Sequence, residues 1–161
     1  MYGRCFYRTN SKGRMTMTQI EDNITRLIKS IKQEEELSYY TFVKGFSATD
    51  HPNPMESYLI AVSTLDTKVT TEFLGDGVGK NLKGSIVNAD LKFRVYAPKH
   101  DGGDGLLSLC CTLCDVIKRC DTNKVCEDVK VSGISFDNDA NTVYRDVVAS
   151  LSFCLCEEVT K

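Results

Sequence analysis

The sequence predicts an α+β fold in which two helices pack on one face of a largely antiparallel mixed sheet. Apolar residues recur three and four apart in two segments, residues 20–31 and 106–117, which is the spacing of a buried helix face. Elsewhere, β-branched and aromatic residues alternate with polar ones over long stretches, as is typical of strands. Because several strands separate the two helical segments, the order favours an α+β fold over the regular alternation of a parallel sheet.

The first helix is expected to have Thr18 as its N-cap. Glu21, three residues later, completes the pattern of a capping box. The polar residues 33–36 are interpreted as the solvated C-terminal continuation of this helix, and residues 50–54, with two prolines, as a loop. The apolar positions of the helix are Ile20, Ile24, Leu27, Ile28 and Ile31.

A hairpin is predicted after this loop. Residues 57–65 and 68–74 have strand composition, and a turn near Asp66 would join them. A long strand follows at residues 86–96, in which every second residue is apolar and is expected to point inward. These residues are Val87, Ala89, Leu91, Phe93 and Val95.

A glycine-rich segment lies between the hairpin and the long strand. It does not match a phosphate-binding loop, because a Walker loop has four residues between its glycines and then Lys-Ser or Lys-Thr. A dinucleotide-binding loop requires a following helix, whereas a strand pattern follows here. We therefore predict a flexible connection between strands. Its glycines and lysines are Gly75, Gly77, Gly79, Lys80, Lys83 and Gly84.

The second half of the chain begins with a second helix at residues 106–119, with Asp104 as the expected N-cap. This helix is so apolar that it predicts burial on more than one side. A strand at residues 127–136, with a bulge near Gly133, and a turn at residues 137–141 are expected next. The final strand is predicted at residues 142–156. Its inward residues are Val147, Ala149, Leu151, Phe153 and Leu155.

The length and charge of the chain indicate its organisation. A chain of 161 residues suits one domain. Residues 1–14 carry four basic and no acidic side chains, whereas the remainder has 16 basic and 22 acidic ones and is acidic. We predict a basic, loosely ordered segment at residues 1–16 and a single domain at 17–161. The acidic body and the lack of a run of about 20 apolar residues argue against specific nucleic-acid binding and membrane partners.

Eight cysteines raise the question of metal or redox chemistry. Cys111 and Cys114 form a C-x-x-C pair, but no second pair has zinc-binding spacing. We interpret the cysteines as reduced packing residues and expect no metal and no cofactor. A cysteine-based metal-binding or redox protein remains the alternative. Its first candidates would be Cys111 and Cys114 with Cys154 and Cys156, brought together if the last strand runs beneath the second helix.

No catalytic constellation accompanies these features. Asp137, Asp139 and Asn141 resemble the start of a calcium loop, but the glycine and glutamate that such a loop requires are replaced. His51 and His100 lie in predicted loops without a catalytic motif. The sequence therefore predicts a protein that is not an enzyme.

Two stretches carry a resemblance to a known family. Residues 95–103 (VYAPKHDGG) lead into an apolar helix, and residues 131–136 (VSGISF) lead into an Asn/Asp turn and a long strand. Together with the first helix, this pattern resembles small tail proteins encoded in the structural modules of prophages from Gram-positive bacteria, over residues 17–157. The likeness is to phage tail terminators, from contractile tails or tail-like bacteriocins.

The resemblance implies a structural virion protein without catalytic residues. It implies a ring, commonly a hexamer, that caps the head-proximal end of the tail tube, ends its polymerisation and joins the tail to the neck. The expected partners are further copies of the chain, the tube protein, the sheath and the neck or connector, in a virion tail assembled in the bacterial host cytoplasm. Another neck or minor tail protein is the closest alternative. We expect Gly75, Gly77, Gly79, Lys80 and Lys83 to contact a neighbouring subunit.

Overall fold

A computed structural model describes the backbone of residues 17–45, 56–77 and 80–159. It also describes their side chains, except at residues 17, 19, 70–77, 80–83 and 155–159. It shows the α+β fold that the sequence predicts. The described elements are α1 (Met17–Gln33), a 3-10 turn (Glu35–Leu37), β1 (Thr41–Lys44), β2 (Leu59–Gly77), β3 (Lys80–Tyr96), α2 (Leu106–Cys120), β4 (Cys126–Val131), β5 (Ser135–Asp137) and β6 (Thr142–Val159).

The strands form one mixed sheet in the order β1-β2-β3-β6-β4, and β5 pairs with β6 beside β4. β1 runs parallel to β2, and the remaining pairs are antiparallel. The largely antiparallel mixed sheet is thus confirmed. Its three longest strands, β2, β3 and β6, lie side by side at its centre.

Both helices cover the same face of the sheet. The inward residues of β3 and β6 join those of α1 and α2 in one buried cluster, which includes Ile20, Ile31, Phe93, Leu113 and Leu151. Full burial of each such side chain contributes about 1.5–3 kcal/mol to folding. The opposite face has a smaller apolar cluster, formed by Leu59, Ala61, Tyr96 and Ala140.

The predicted hairpin with a turn near Asp66 is wrong, because β2 continues through this position as one strand. Register shifts between Thr64 and Thr67, and between Val69 and Thr71, mark two bulges in its pairing with β3. A bulge adds a residue to one strand and bends it without reversing the chain. The polar residues around Asp66 are therefore accommodated within a strand.

The ends of the helices also differ from the predictions. Thr18 lies inside α1, which spans Met17–Gln33, and the chain leaves the helix at Glu34, whose backbone is extended. The N-cap of α2 is Gly105 rather than Asp104, and no side chain caps it. A Cβ at Gly105 would overlap the Tyr58 hydroxyl, so the tight approach of this side chain explains the glycine.

The strand predicted at residues 127–136 is instead two strands, β4 and β5. Ser132 separates them: its N–H donates to the Asp146 carbonyl, and its hydroxyl accepts from the Asp146 N–H. The Ser132 hydroxyl thus takes the place of a backbone carbonyl as acceptor for β6, and the backbone hydrogen bonding between the strands is interrupted there. The turn at residues 137–141 is confirmed, with Asn141 in the left-handed region at φ 48°. β6 extends further than expected, to Val159.

Candidate functional site

The most distinctive feature of the molecule is the end of the sheet that extends past its shorter strands. β1 pairs with β2 only at Leu59–Val62, and β4 pairs with β6 only as far as Leu151. Beyond them, residues 71–77, 80–86 and 154–159 continue as three paired strands, which we call the distal ribbon. From Tyr96 to Lys80, β3 spans about 50 Å at the usual rise per residue.

The distal ribbon contains the backbone of four of the five predicted interface residues. Gly75 pairs with Leu82, and Gly77 pairs with Lys80. Residues 75–77 and 80–84 are paired strand, so the prediction that they form a connection between strands is wrong for the described residues. Gly79 lies outside the described residues. The turn was predicted earlier in the sequence, near Asp66, so the pairing of these residues was not predicted.

Lys83 has an acidic register partner within its own chain. It pairs with Glu157 on β6 and with Leu74 on β2. A neighbouring subunit is therefore not required to place an acidic residue opposite Lys83. Lys80, by contrast, pairs with Gly77 at the tip of the hairpin.

Apolar side chains are exposed on β2 just before the ribbon. Leu65 is 42% exposed and Val69 is 53% exposed, although Val87, the register partner of Val69, is fully buried. The helices thus cover β3 at this level but leave β2 accessible. An exposed apolar strand at the margin of a sheet is typical of a contact surface or an aggregation site.

A polar network lies on the sheet face opposite the helices. The Arg94 guanidinium donates to both carboxylate oxygens of Asp146, at 2.8 and 3.1 Å, and stacks 3.9 Å from the centre of the Tyr144 ring. The Tyr96 hydroxyl donates to Asp137 at 3.1 Å. The hydrogen bonds to Asp146 raise the pKa of Arg94, although burial alone would lower it.

This network was not predicted, although the sequence shows its signal. Arg94 and Tyr96 occupy the outward positions of β3, and Tyr144 and Asp146 are their register partners on β6. Alternation identifies outward residues within one strand, but the register that brings four of them together depends on tertiary pairing. Since these groups bond one another, the network ties β3, β5 and β6 together.

The described cysteines do not form the set proposed from the sequence. Cys154 alternates with Phe153, which is buried against the helices, so its side chain lies on the face opposite Cys111 and Cys114. The side chain of Cys156 is outside the described part. Among the described residues, no group of three or more His, Cys, Asp or Glu side chains is placed to hold a metal ion.

Burial also raises the pKa of several thiols. It raises the pKa of Cys110 to about 11, and it is the main cause of the raised pKa of Cys114, Cys120 and Cys126. A raised pKa reduces the thiolate fraction at neutral pH, and the thiolate is both the nucleophile and the metal ligand. These four positions therefore suit packing better than thiol chemistry.

The remaining polar candidates are engaged in local structure. One carboxylate oxygen of Asp137 accepts the N–H groups of Asp139 and Ala140, and the other accepts the Tyr96 hydroxyl. His100 is exposed and lies 3.1 Å from the Asp101 carboxylate. His51 lies outside the described residues.

Comparisons with known proteins give no family assignment. No model of a known protein family matches the chain, and a search of curated proteins finds no match. In the described part of the chain, no helix is long and apolar enough to cross a membrane.

Proposed function

We propose that this chain is a structural subunit of a phage tail or tail-like particle. It forms a ring, commonly hexameric, at the head-proximal end of the tail tube, stops tube polymerisation and joins the tail to the neck. Its partners are further copies of itself, the tube protein, the sheath and the neck. The observation that supports this proposal is the distal ribbon, where three strands extend past the remaining strands of the sheet.

Among the described strands, none pairs with the two outer edges of this ribbon. Two- and three-stranded ribbons need a packed apolar face for stability, and exposed strand edges invite pairing with other chains. Contact with identical copies would cover both edges. A closed ring of identical subunits is therefore a structure in which the ribbon is stabilised.

The polar groups of the described residues support a structural role rather than an enzymatic one. The polar cluster in which Arg94 binds Asp146 and Tyr96 binds Asp137 is hydrogen-bonded within the sheet. A catalytic site needs groups directed at a substrate, with pKa values suited to proton transfer. The role proposed for these four residues is to hold the strands in register.

Removal of the gene from its host genome tests this function. The expected result in electron micrographs is tails of uncontrolled length, or tails not joined to heads, with normal particles restored by the intact gene. The purified protein should form a closed ring by light scattering. A strictly monomeric protein that is absent from purified particles would refute the proposal, and stoichiometric zinc in protein purified without added metal would favour the cysteine-based alternative.

The ribbon's role is tested by charge reversal at Lys80. Lys80→Glu is preferable to a change at Lys83, because Lys83→Glu would place like charges opposite each other at Glu157. The matched control is Lys29→Glu, at an exposed position on α1. We expect tail defects from the first variant and normal particles from the second. Normal particles from both would remove Lys80 from the contact surface.

A further inference from the structure

We propose that the distal ribbons of neighbouring copies pair head to tail. In this arrangement, β2 at residues 71–77 of one copy adds to β6 at residues 155–159 of the next, and a continuous sheet runs around the ring. The inference rests on the proposed function, since it names the surface through which the copies assemble.

Both edges are regular where this pairing would occur. From Thr71 to Gly77, β2 follows β3 without a register shift, and β6 follows β3 without one over its whole length. The two bulges of β2 lie earlier, between Thr64 and Thr71. Bulges twist an edge away from further pairing, so they confine the usable β2 edge to the ribbon.

The backbone of β6 directs hydrogen-bonding groups to its outer edge at even-numbered residues. The Ser132 N–H donates to the Asp146 carbonyl, and the Ser152 N–H donates to the Val125 carbonyl, both on the side away from β3. Since backbone direction alternates along a strand, Cys156 and Glu158 present their N–H and C=O groups at the same edge. No described strand pairs with them there.

The outward positions on β2 follow from the same alternation. Glu157 is an odd-numbered residue of β6, so its backbone N–H and C=O groups point towards β3. In an antiparallel pair, the backbone groups of two directly opposed residues either both point towards each other or both point away. The backbone N–H and C=O groups of Lys83, the partner of Glu157, therefore point towards β6. Those of Leu74, the β2 partner of Lys83, point away from β3. No described strand pairs with the outer edge of β2 at Leu74.

The two edges lie at the same level on opposite sides of the ribbon. Thr71 and Cys154 share the partner Ile86, and Asp76 and Val159 share the partner Asn81. β2 and β6 both run antiparallel to β3 and so run in the same direction. Joining the β2 edge of one copy to the β6 edge of another repeats the same operation at every contact, which is the heterologous geometry that closes into a ring. A two-fold β6–β6 contact would leave every β2 edge open.

Proline substitution tests each edge separately. Proline removes an N–H and is tolerated at the open side of an edge strand, so Leu74→Pro blocks the β2 edge and Cys156→Pro blocks the β6 edge. The matched controls are Leu74→Ala and Cys156→Ala, which keep the N–H. We expect each proline variant to be monomeric by light scattering with unchanged circular dichroism, and each alanine variant to assemble as the unaltered chain does.

Mixing the two proline variants identifies the head-to-tail arrangement. Leu74→Pro keeps an intact β6 edge, and Cys156→Pro keeps an intact β2 edge. An equimolar mixture is therefore expected to form a dimer and nothing larger. A two-fold contact through β6 would instead let Leu74→Pro dimerise alone. Full assembly of either proline variant, or a mixture that stays monomeric, would overturn the inference while leaving the ring itself standing. An unaltered chain that is monomeric would overturn the proposed function as well.

Cross-linking gives a second test that does not depend on proline. A cysteine is placed in turn at positions 71, 73 and 75, and the chain is oxidised with diamide. Within one copy, Phe73 and Cys156 are two strand spacings apart, about 9.6 Å, which exceeds the reach of a disulfide, about 7 Å. We expect a ladder of linked copies on a non-reducing gel from at least one position, lost when Cys156→Ser is added. No ladder beyond that of the unaltered chain, from any position, would contradict the pairing.

Discussion

The sheet has two parts that share the same strands but are stabilised differently. In the helix-covered part, β3 contributes Leu91, Phe93 and Val95, all fully buried. In the distal ribbon, β3 continues between β2 and β6 after the pairing of β1 with β2 and of β4 with β6 has ended. Strand pairing among the described residues thus extends beyond the level at which β1 and β4 end.

The energetic difference follows from what each part buries. Each fully buried side chain contributes about 1.5–3 kcal/mol, whereas a cross-strand pair contributes about 0.2–1 kcal/mol. Ordering the backbone costs about 1–2 kcal/mol per residue in both parts. The helix-covered part can offset this cost within one chain, and in the proposed ring contacts from a second chain would do so for the ribbon.

The largest expected effect is loss of a buried side chain in the helix-covered part. Phe93→Ala should lower the free energy of unfolding by about 3–5 kcal/mol, because Phe93 is fully buried in the main cluster. Val69→Ala, at an exposed position of β2, should change it by less than about 0.5 kcal/mol. Urea denaturation of the two variants measures the difference. Similar losses from both would show that the two positions are equally covered.

A smaller effect is expected from the polar network. Arg94→Met leaves the half-buried carboxylate of Asp146 without its charged partner, which should cost about 1–3 kcal/mol. The control is Lys130→Met, because the Lys130–Asp128 ion pair is exposed and should contribute less than about 1 kcal/mol. Denaturation curves of the two single variants measure both effects. If Lys130→Met costs as much as Arg94→Met, the network adds nothing specific to the sheet.

The pH dependence of Asp137 gives a still smaller effect. Burial would raise the pKa of Asp137, but hydrogen bonds from the Ala140 N–H, the Tyr96 hydroxyl and the Asp139 N–H, together with the Arg94 charge, lower it below 3.8. A lowered pKa in the folded state contributes stability above the unfolded value, about 3.9, which is lost as the pH falls through the folded value. Asp137→Asn should therefore melt below the unaltered chain at pH 6, and the gap should close as the pH falls below 3.8 through the folded value. A gap that is independent of pH would exclude this ionisation as its source.

The sequence predicts the helix-covered part better than the ribbon, for a physical reason. The inward residues of β3 and the helical repeat of α1 follow from periodicity, because burial on one face imposes period two or 3.6. The described inward residues of the final strand, from Val147 to Phe153, are buried for the same reason. These predictions are confirmed because the local pattern and the tertiary contacts agree.

The ribbon was predicted less well because its pairing depends on register between residues that are distant in sequence. Around Asp66, a bulge and a turn share the same polar composition, and only the register with β3 distinguishes them. The same holds for Gly75 and Lys83, whose pairing depends on partners distant in sequence. The pairing of Arg94 with Asp146, 52 residues later, is likewise a consequence of register.

The smallest expected effect is removal of the basic N-terminal segment, which tests whether the helix-covered part is complete from α1 onwards. A chain beginning at Met15 lacks four basic residues but keeps all of α1, including the buried residues Ile20 and Ile31. It should melt within about 2–4 °C of the full chain, the shift that about 1 kcal/mol produces in a domain of this size. The matched control is Ile31→Ala, which should cost about 2–5 kcal/mol. If the melting temperature of the shortened chain falls as far as that of the control, residues 1–14 pack onto the body. An unchanged melting temperature with lost assembly would instead assign these residues to the contacts between copies.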